Sequence, residues 1–168
     1  LYQAGEGAMN ASLYYMPDEV HVVFHGAVLE RLSEQELIAL LGHELSHYQL
    51  WSGHGGDFHT AERILKHSLA DPSAAASHYE TSRLYDLHTE MYADRGAAVA
   101  AGSVLPAISA LVKVQTGLST VDPAAYLLQA EELENADKSL SKGLSHPESY
   151  LRAQALDMWW RSDAMLPS

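Results

Sequence analysis

An apolar run from Leu37 through Gly42 resumes at Tyr48 to Trp51, and the stretch His43-Glu44-Leu45-Ser46-His47 lies inside it. Neither proline nor glycine separates the two histidines, so nothing there breaks a helix. Ser33 followed by Glu36 has the spacing of a capping box, placed just ahead of the apolar run. The pattern predicts a helix from about Ser33 to about Ser52, closed by Gly53 and the Gly55-Gly56 pair. Upstream, Asn10 to Tyr15 and Glu19 to Phe24 read as two short strands joined by a turn at Met16-Pro17-Asp18. Val20, Val22 and Phe24 alternate with His21 and Val23, as in a half-buried strand. Gly26 ends that strand, and Ala27 to Arg31 reads as a turn into the helix. Residues 1–9 are small and Gly-rich and carry no clear pattern.

Downstream, a Gly- and His-rich loop over Ser52 to Phe58 precedes a short helix from about His59 to Leu69. Asp71-Pro72-Ser73 breaks the chain, and a long helix is predicted from about Ala74 to Ala101. Leu105 to Thr116 reads as a helix with Pro106 in its first turn, and Asp122-Pro123 opens another through about Asp137. Lys138 to Ser145 is a polar connection, and Pro147 to Arg161 is the last helix. No internal repeat or low-complexity tract is present. The expected fold is α+β, mainly helical, with a small antiparallel sheet near the N-terminus.

The 168 residues suffice for a single domain, 1–168, with a real core. Acidic residues outnumber basic ones by 22 to 10, which argues against a nucleic-acid partner, because phosphate binding needs a basic face. There is no cysteine, so a metal would be held by His, Asp or Glu. No apolar run reaches the roughly 20 residues that span a bilayer, and no signal peptide is visible. The chain begins at Leu1, which predicts a fragment of a longer chain and is compatible with an anchor upstream. The sequence assigns no compartment and no oligomeric state.

On a helix, residues four apart lie about 40° and about 6 Å apart on one face. His43 and His47 can then bind one zinc ion, with Glu44 placed to take a proton from its water. A surface helix with two histidines and a glutamate is the plainer alternative. A catalytic zinc usually takes three protein ligands and keeps a position open. Glu90 is the best candidate for the third, and Asp94, four residues on, shares its face. One carboxylate can reach the metal while the other orients a ligating histidine. An acidic pair on a solvated helix face explains the same spacing.

Four segments, in order, resemble the zinc metallopeptidases of the HtpX and CAAX-prenyl-protease type, a gluzincin family. They are Asn10-Ala11 ahead of a hairpin, Gly26 to Leu37 leading into HExxH, Glu90-Met91-Tyr92-Ala93-Asp94 as ExxxD, and His146-Pro147-Glu148-Ser149-Tyr150-Leu151-Arg152 as HPxxxxR. The resemblance spans residues 10 to 152 and implies a zincin-like metallopeptidase domain. It implies that His43, His47 and Glu90 hold one zinc ion, that Glu44 is the general base, and that Asp94 supports a ligand. It places His146 and Arg152 at the site, in oxyanion stabilisation or in an inhibitory contact with the metal. It further implies a peptide or protein substrate added as a strand along an edge at Val20 to Phe24. Many members carry transmembrane helices around the core; none is visible here, and the segment with Gly53-His54-Gly55-Gly56 and His59 reads as a connector.

Two other readings remain: a peptidase-like chaperone or binding module with a regulatory or silent zinc site, and a zinc hydrolase of another class. His21 and His25 read as surface or packing residues, and His54 and His59 as parts of a solvated loop close enough for a second metal. His67, His78 and His88 are isolated, and Trp159-Trp160 reads as core or interface.

Overall fold

The computed structural model of the chain describes residues 1–5, 7–16, 19–135 and 147–162, and the elements below are those among the described residues. Strands β1 (Tyr2–Ala4), β2 (Asn10–Met16) and β3 (Glu19–His25) come first. A short helix α1 (Val28–Arg31) leads into α2 (Glu34–Ser52). A 3-10 turn at His54–Gly56 joins α2 to α3 (Asp57–Leu69). Helices α4 (Ala76–Ala101), α5 (Val104–Thr116), α6 (Pro123–Asn135) and α7 (Pro147–Arg161) follow. The chain is mainly helical, as its periodicities predict. The turn residues Pro17 and Asp18, and the connection 138–145, lie outside the described residues.

The sheet differs from expectation. Its order is β1-β3-β2, with β2 antiparallel to β3 (Leu13 opposite Val22) and β1 parallel to it (Tyr2 opposite Val23), so it is mixed rather than antiparallel. Strand β1 falls in the stretch that shows no pattern, because three residues are too few to display an alternation. Its pairing moves Val20–Phe24 from the edge to the middle strand, leaving β2 as an outer strand beside the helices. Alternation along β3 holds for Val22 and Phe24, which are buried with Ala11 of β2 and pack on Val28, Leu32 and Leu40, whereas Val20, expected on the same face, is exposed.

Helix α2 starts where the capping box puts it. The Ser33 backbone N–H donates to Glu36 Oε2 at 2.7 Å, and the Ser33 hydroxyl accepts from the Glu36 N–H. At its end Gly53 is extended, with φ −71°, while Gly55 and Gly56 adopt the left-handed conformation. The sharp turn they make starts α3 at Asp57, two residues before His59. Glu36 does a second job. Its carboxylate accepts from Ser109 Oγ at 2.5 Å and from Lys113 Nζ at 2.9 Å, tying α2 to α5 in a buried cluster. Burial alone would raise the Glu36 pKa, but the donors from Lys113, Ser109 and Ser33 outweigh it and hold the carboxyl below its ordinary value.

Helices α2 and α4 meet without intervening side chains. A Cβ on Gly42 would fall 2.5 Å from the Cβ of Ala100 and 2.8 Å from the Gly96 carbonyl oxygen. A Cβ on Gly96 would fall 1.7 Å from Ser46 Oγ. Ala39, Ala93 and Ala97 continue this seam of small buried residues, and α5 and α7 close the core over it with Ile108, Val112, Ala153 and Leu156.

Two predictions follow the packing. Gly42→Ala in an exposed helix would gain about 1 kcal/mol of helix propensity. Here the clash reverses the sign, and denaturant unfolding will show a net loss of about 1–3 kcal/mol. Lys113→Ala will cost about 3 kcal/mol at neutral pH, because it leaves Glu36 charged and unpaired. The folded pKa of Glu36 is the lower one, so the pair's contribution is complete above the unfolded value of 4.5 and is lost as pH falls through the folded one. The stability gap between wild type and variant will therefore shrink in acid.

Candidate metal centre

Helix α2 presents His43 and His47 one turn apart, and α4 presents Glu90 and Asp94 one turn apart, across the small-residue seam. His43 Nδ1 lies 3.1 Å from Asp94 Oδ1. A carboxylate accepts only, so Nδ1 carries a proton and Nε2 is the nitrogen a metal could take in place of a second proton. That Nε2 lies 3.2 Å from Nε2 of His47 and 3.5 Å from Glu90 Oε2, while His47 Nε2 lies 3.3 Å from Glu90 Oε1. One donor atom from each of the three residues lies within 4.8 Å of the others.

The donor set fits a metal on its own chemistry. Three lone-pair donors facing one another in a part-buried seam repel unless a cation sits among them. Donors held about 2.0–2.1 Å from a tetrahedral zinc are about 3.3 Å apart, which matches the spacing here. The two carboxylates differ in a way that assigns their work: the Glu90 side chain is 35 % exposed and that of Asp94 is 5 % exposed. Glu90 can share an open coordination site; Asp94 is confined to His43 and to Arg152.

Arg152 reaches this cluster from α7. Its Nε donates to Asp94 Oδ2 at 2.8 Å, one terminal nitrogen to Asp94 Oδ1 at 2.7 Å, and the other lies 2.9 Å from Glu90 Oε2. The fork fixes both carboxylates at once. Burial would raise the Asp94 pKa, but Arg152 and then His43 hold it below its ordinary value. Burial acts in the same direction on Glu90, where His43, His47 and Arg152 hold the carboxyl far down. Burial would lower the pKa of His43, yet Asp94 and Glu90 push it up to about 10. The site strongly favours positive charge at this point, which a metal ion supplies as well as a proton does.

Glu44 is buried beside the cluster, and the Leu13 backbone N–H of β2 reaches its carboxylate. Burial raises its pKa, and His43 and His47 offset only part of that. His47 has Trp51 stacked on it, ring centroids 5.5 Å apart, and Trp51 in turn packs on Tyr15 and His59. His47 Nδ1 has no hydrogen-bond partner among the described residues.

Of the residues singled out by sequence, His43, Glu44, His47, Glu90, Asp94 and Arg152 come together; His146 lies outside the described residues. His59 packs in the aromatic group rather than in a second cluster of ligands, His78 accepts from the Ala75 N–H at the start of α4, and His21 pairs with Glu19. The sequence reading missed Gly42 and Gly96, which let the helices touch, and Leu13, which acts through its backbone. A glycine one residue before the motif was the visible signal for the first.

Two comparisons with known proteins found a likeness. Residues 3–55 match Peptidase family M48, a stretch from β1 through α2 that includes His43 to His47. The plastoglobule-localized metallopeptidase 48, chloroplastic, of Arabidopsis thaliana is 30% identical over 158 residues, covering 84% of this chain and 45% of that protein. The chain thus spans less than half the length of that relative. No solved structure matches it. The family match and the relative make the chain similar to the metallopeptidases of peptidase family M48, which is consistent with the HtpX-type order of its motifs.

Proposed function

We propose that this chain is the zincin-like catalytic domain of a zinc-dependent metalloendopeptidase, in which His43, His47 and Glu90 hold one zinc ion and Glu44 is the general base. The convergence of two Nε2 atoms and a carboxylate beside a buried glutamate carries the reading. Zinc, when bound, supplies a Lewis acid that brings the pKa of a water toward about 7 and polarises a carbonyl. Glu44 takes the proton as the water attacks the scissile carbonyl, and hands it to the leaving amine. Its upward-shifted pKa suits a group that must both accept and release that proton. Asp94 holds His43 by its Nδ1–H and keeps the opposite nitrogen aimed at the centre. Arg152 acts on Asp94 and Glu90 as a positioning residue. His146 keeps the role its motif implies, an oxyanion donor or an inhibitory contact.

The peptide lies along β2, in place of the edge expected at Val20 to Phe24. Leu13 turns its N–H toward Glu44 and therefore away from β3, and by the two-residue period Ala11 and Tyr15 turn the same way. Their backbone groups form a free edge at the mouth of the site, suited to strand addition. Among the described residues no helix is long and apolar enough to cross a membrane.

Elemental analysis will find one zinc per chain, and a chelator will abolish cleavage of an unstructured protein such as casein. Glu44→Gln will keep the zinc and lose about 10²–10⁴-fold in kcat. A chain that binds zinc but cuts nothing would support the binding-module reading instead. Asp94→Asn keeps the shape but frees His43 to rotate, and zinc affinity by competition titration will fall about 10–100-fold.

A further inference from the structure

Trp51 stands four residues after His47 on α2, so His43, His47 and Trp51 form one ridge of the helix. The Trp51 indole is stacked on the His47 imidazole, ring centroids 5.5 Å apart and planes 27° from parallel. Neighbours outside the donor set hold Trp51 in turn. Tyr15 of β2 meets it in a T-shaped contact at 6.1 Å and His59 of α3 in a tilted one at 5.9 Å, while Tyr15 and His59 are 4.7 Å apart. The two histidines of the proposed zinc site are thus held differently. His43 has Asp94 on its Nδ1 at 3.1 Å. Among the described residues neither His47 Nδ1 nor Trp51 Nε1, both buried, has a hydrogen-bond partner, so contact between ring faces is what orients this pair.

We propose that Trp51 is a positioning residue for the metal centre: its stacked indole sets the plane of the His47 imidazole and favours the metal-bound form of that ring, as Asp94 does for His43 through a hydrogen bond. The inference deepens the metallopeptidase reading and rests on it. Two physical arguments carry it. A ligating imidazole that is free to turn misdirects its lone pair, and losing the outer contact that fixes such a ring costs about 10–100-fold in metal affinity. His47 Nε2 lies only 3.2 Å from His43 Nε2, so the ring has little angular tolerance. Further, an imidazole whose Nε2 binds a dication becomes electron-poor, and the face of Trp is the strongest aromatic partner for positive charge. The stack therefore strengthens when metal binds, whereas an aliphatic side chain would fill the space without that gain. His59 reaches Trp51 from the start of α3, just beyond the left-handed Gly55 and Gly56. The segment that reads as a connector in the sequence thereby takes part in holding a ligand.

The test compares Trp51→Phe, which keeps a ring to stack, with Trp51→Leu, which keeps an apolar side chain without one. Zinc affinity is read by competition with a chromophoric chelator, and ligand geometry by the visible d–d absorption of the cobalt(II)-loaded chain. Far-UV circular dichroism of the metal-free proteins establishes that each variant is folded. Trp51→Phe will bind zinc within about threefold of wild type, and Trp51→Leu will bind it about tenfold or more weakly. The cobalt(II) band will be displaced in Trp51→Leu and restored in Trp51→Phe. If Trp51→Leu does not fold, His59→Ala, which removes a neighbour of Trp51, carries the test: zinc binding will weaken about threefold and the band will shift. Unchanged affinity in the informative variant, equal losses in Trp51→Phe and Trp51→Leu, or weaker binding with an unchanged band overturns the role of Trp51 alone. Wild-type protein that binds no zinc overturns it together with the metallopeptidase reading.

Discussion

The contact of α2 with α4 through Gly42 and Gly96 governs the rest of the molecule. With no Cβ at either position the two backbones approach until Gly42 meets Ala100 and Gly96 meets Ser46. At that separation a histidine on one helix and a carboxylate on the other reach a common point. Moved apart by one methyl group, Glu90 would no longer stand 3.3–3.5 Å from the two histidines. The site therefore needs no loop to assemble it. Two helices, each offering residues four apart, hold the three donors of the proposed zinc site together.

A seam of glycine, alanine and serine buries little apolar surface per residue, so its stability comes from elsewhere. The capping box and the Glu36 cluster hold the start of α2 to α5. Arg152 holds α7 to α4 through Asp94 and Glu90, the carboxylates that also meet α2. Without Arg152 the buried Asp94 would keep only its contact with His43 Nδ1, at a cost in stability. The guanidinium therefore stabilises the fold and sets the electrostatics of the centre at once. Because α7 carries it, the position of the last helix bears on how both carboxylates are held.

What was legible in the chain was local. Ser33 and Glu36 mark the start of α2 to the residue, because a capping box is a contact within one turn. The spacings His43 to His47 and Glu90 to Asp94 define two helix faces, and their meeting follows once the helices pack. The misses are non-local. Strand β1 has three residues and pairs with β3 from some twenty positions away, so no period reveals it, and the edge of the sheet was assigned to the wrong strand. Gly42 and Gly96 read as weak spots in helices until a partner helix gives them a reason. Arg152 carries no sign in its own surroundings of the carboxylates 58 and 62 positions earlier that it binds.

The position of β2 links the sheet to the centre. Leu13 gives its backbone N–H to Glu44, so the strand that offers a free edge also holds the carboxylate proposed as the base. A shift of β2 along β3 by one residue would turn its amides to the other side and release Glu44. The middle strand prevents this: β3 is paired on both sides and buries Val22 and Phe24 against α1 and α2, which pins the register of β2. The short strand β1, invisible to periodicity, thus contributes at a distance. It pairs with the end of β3 that faces Asn10 and Ala11 of β2. The proposed substrate edge and base are consequently held by one three-stranded unit, and the proposed metal ligands by one helical seam. The two are joined where Leu13 meets Glu44.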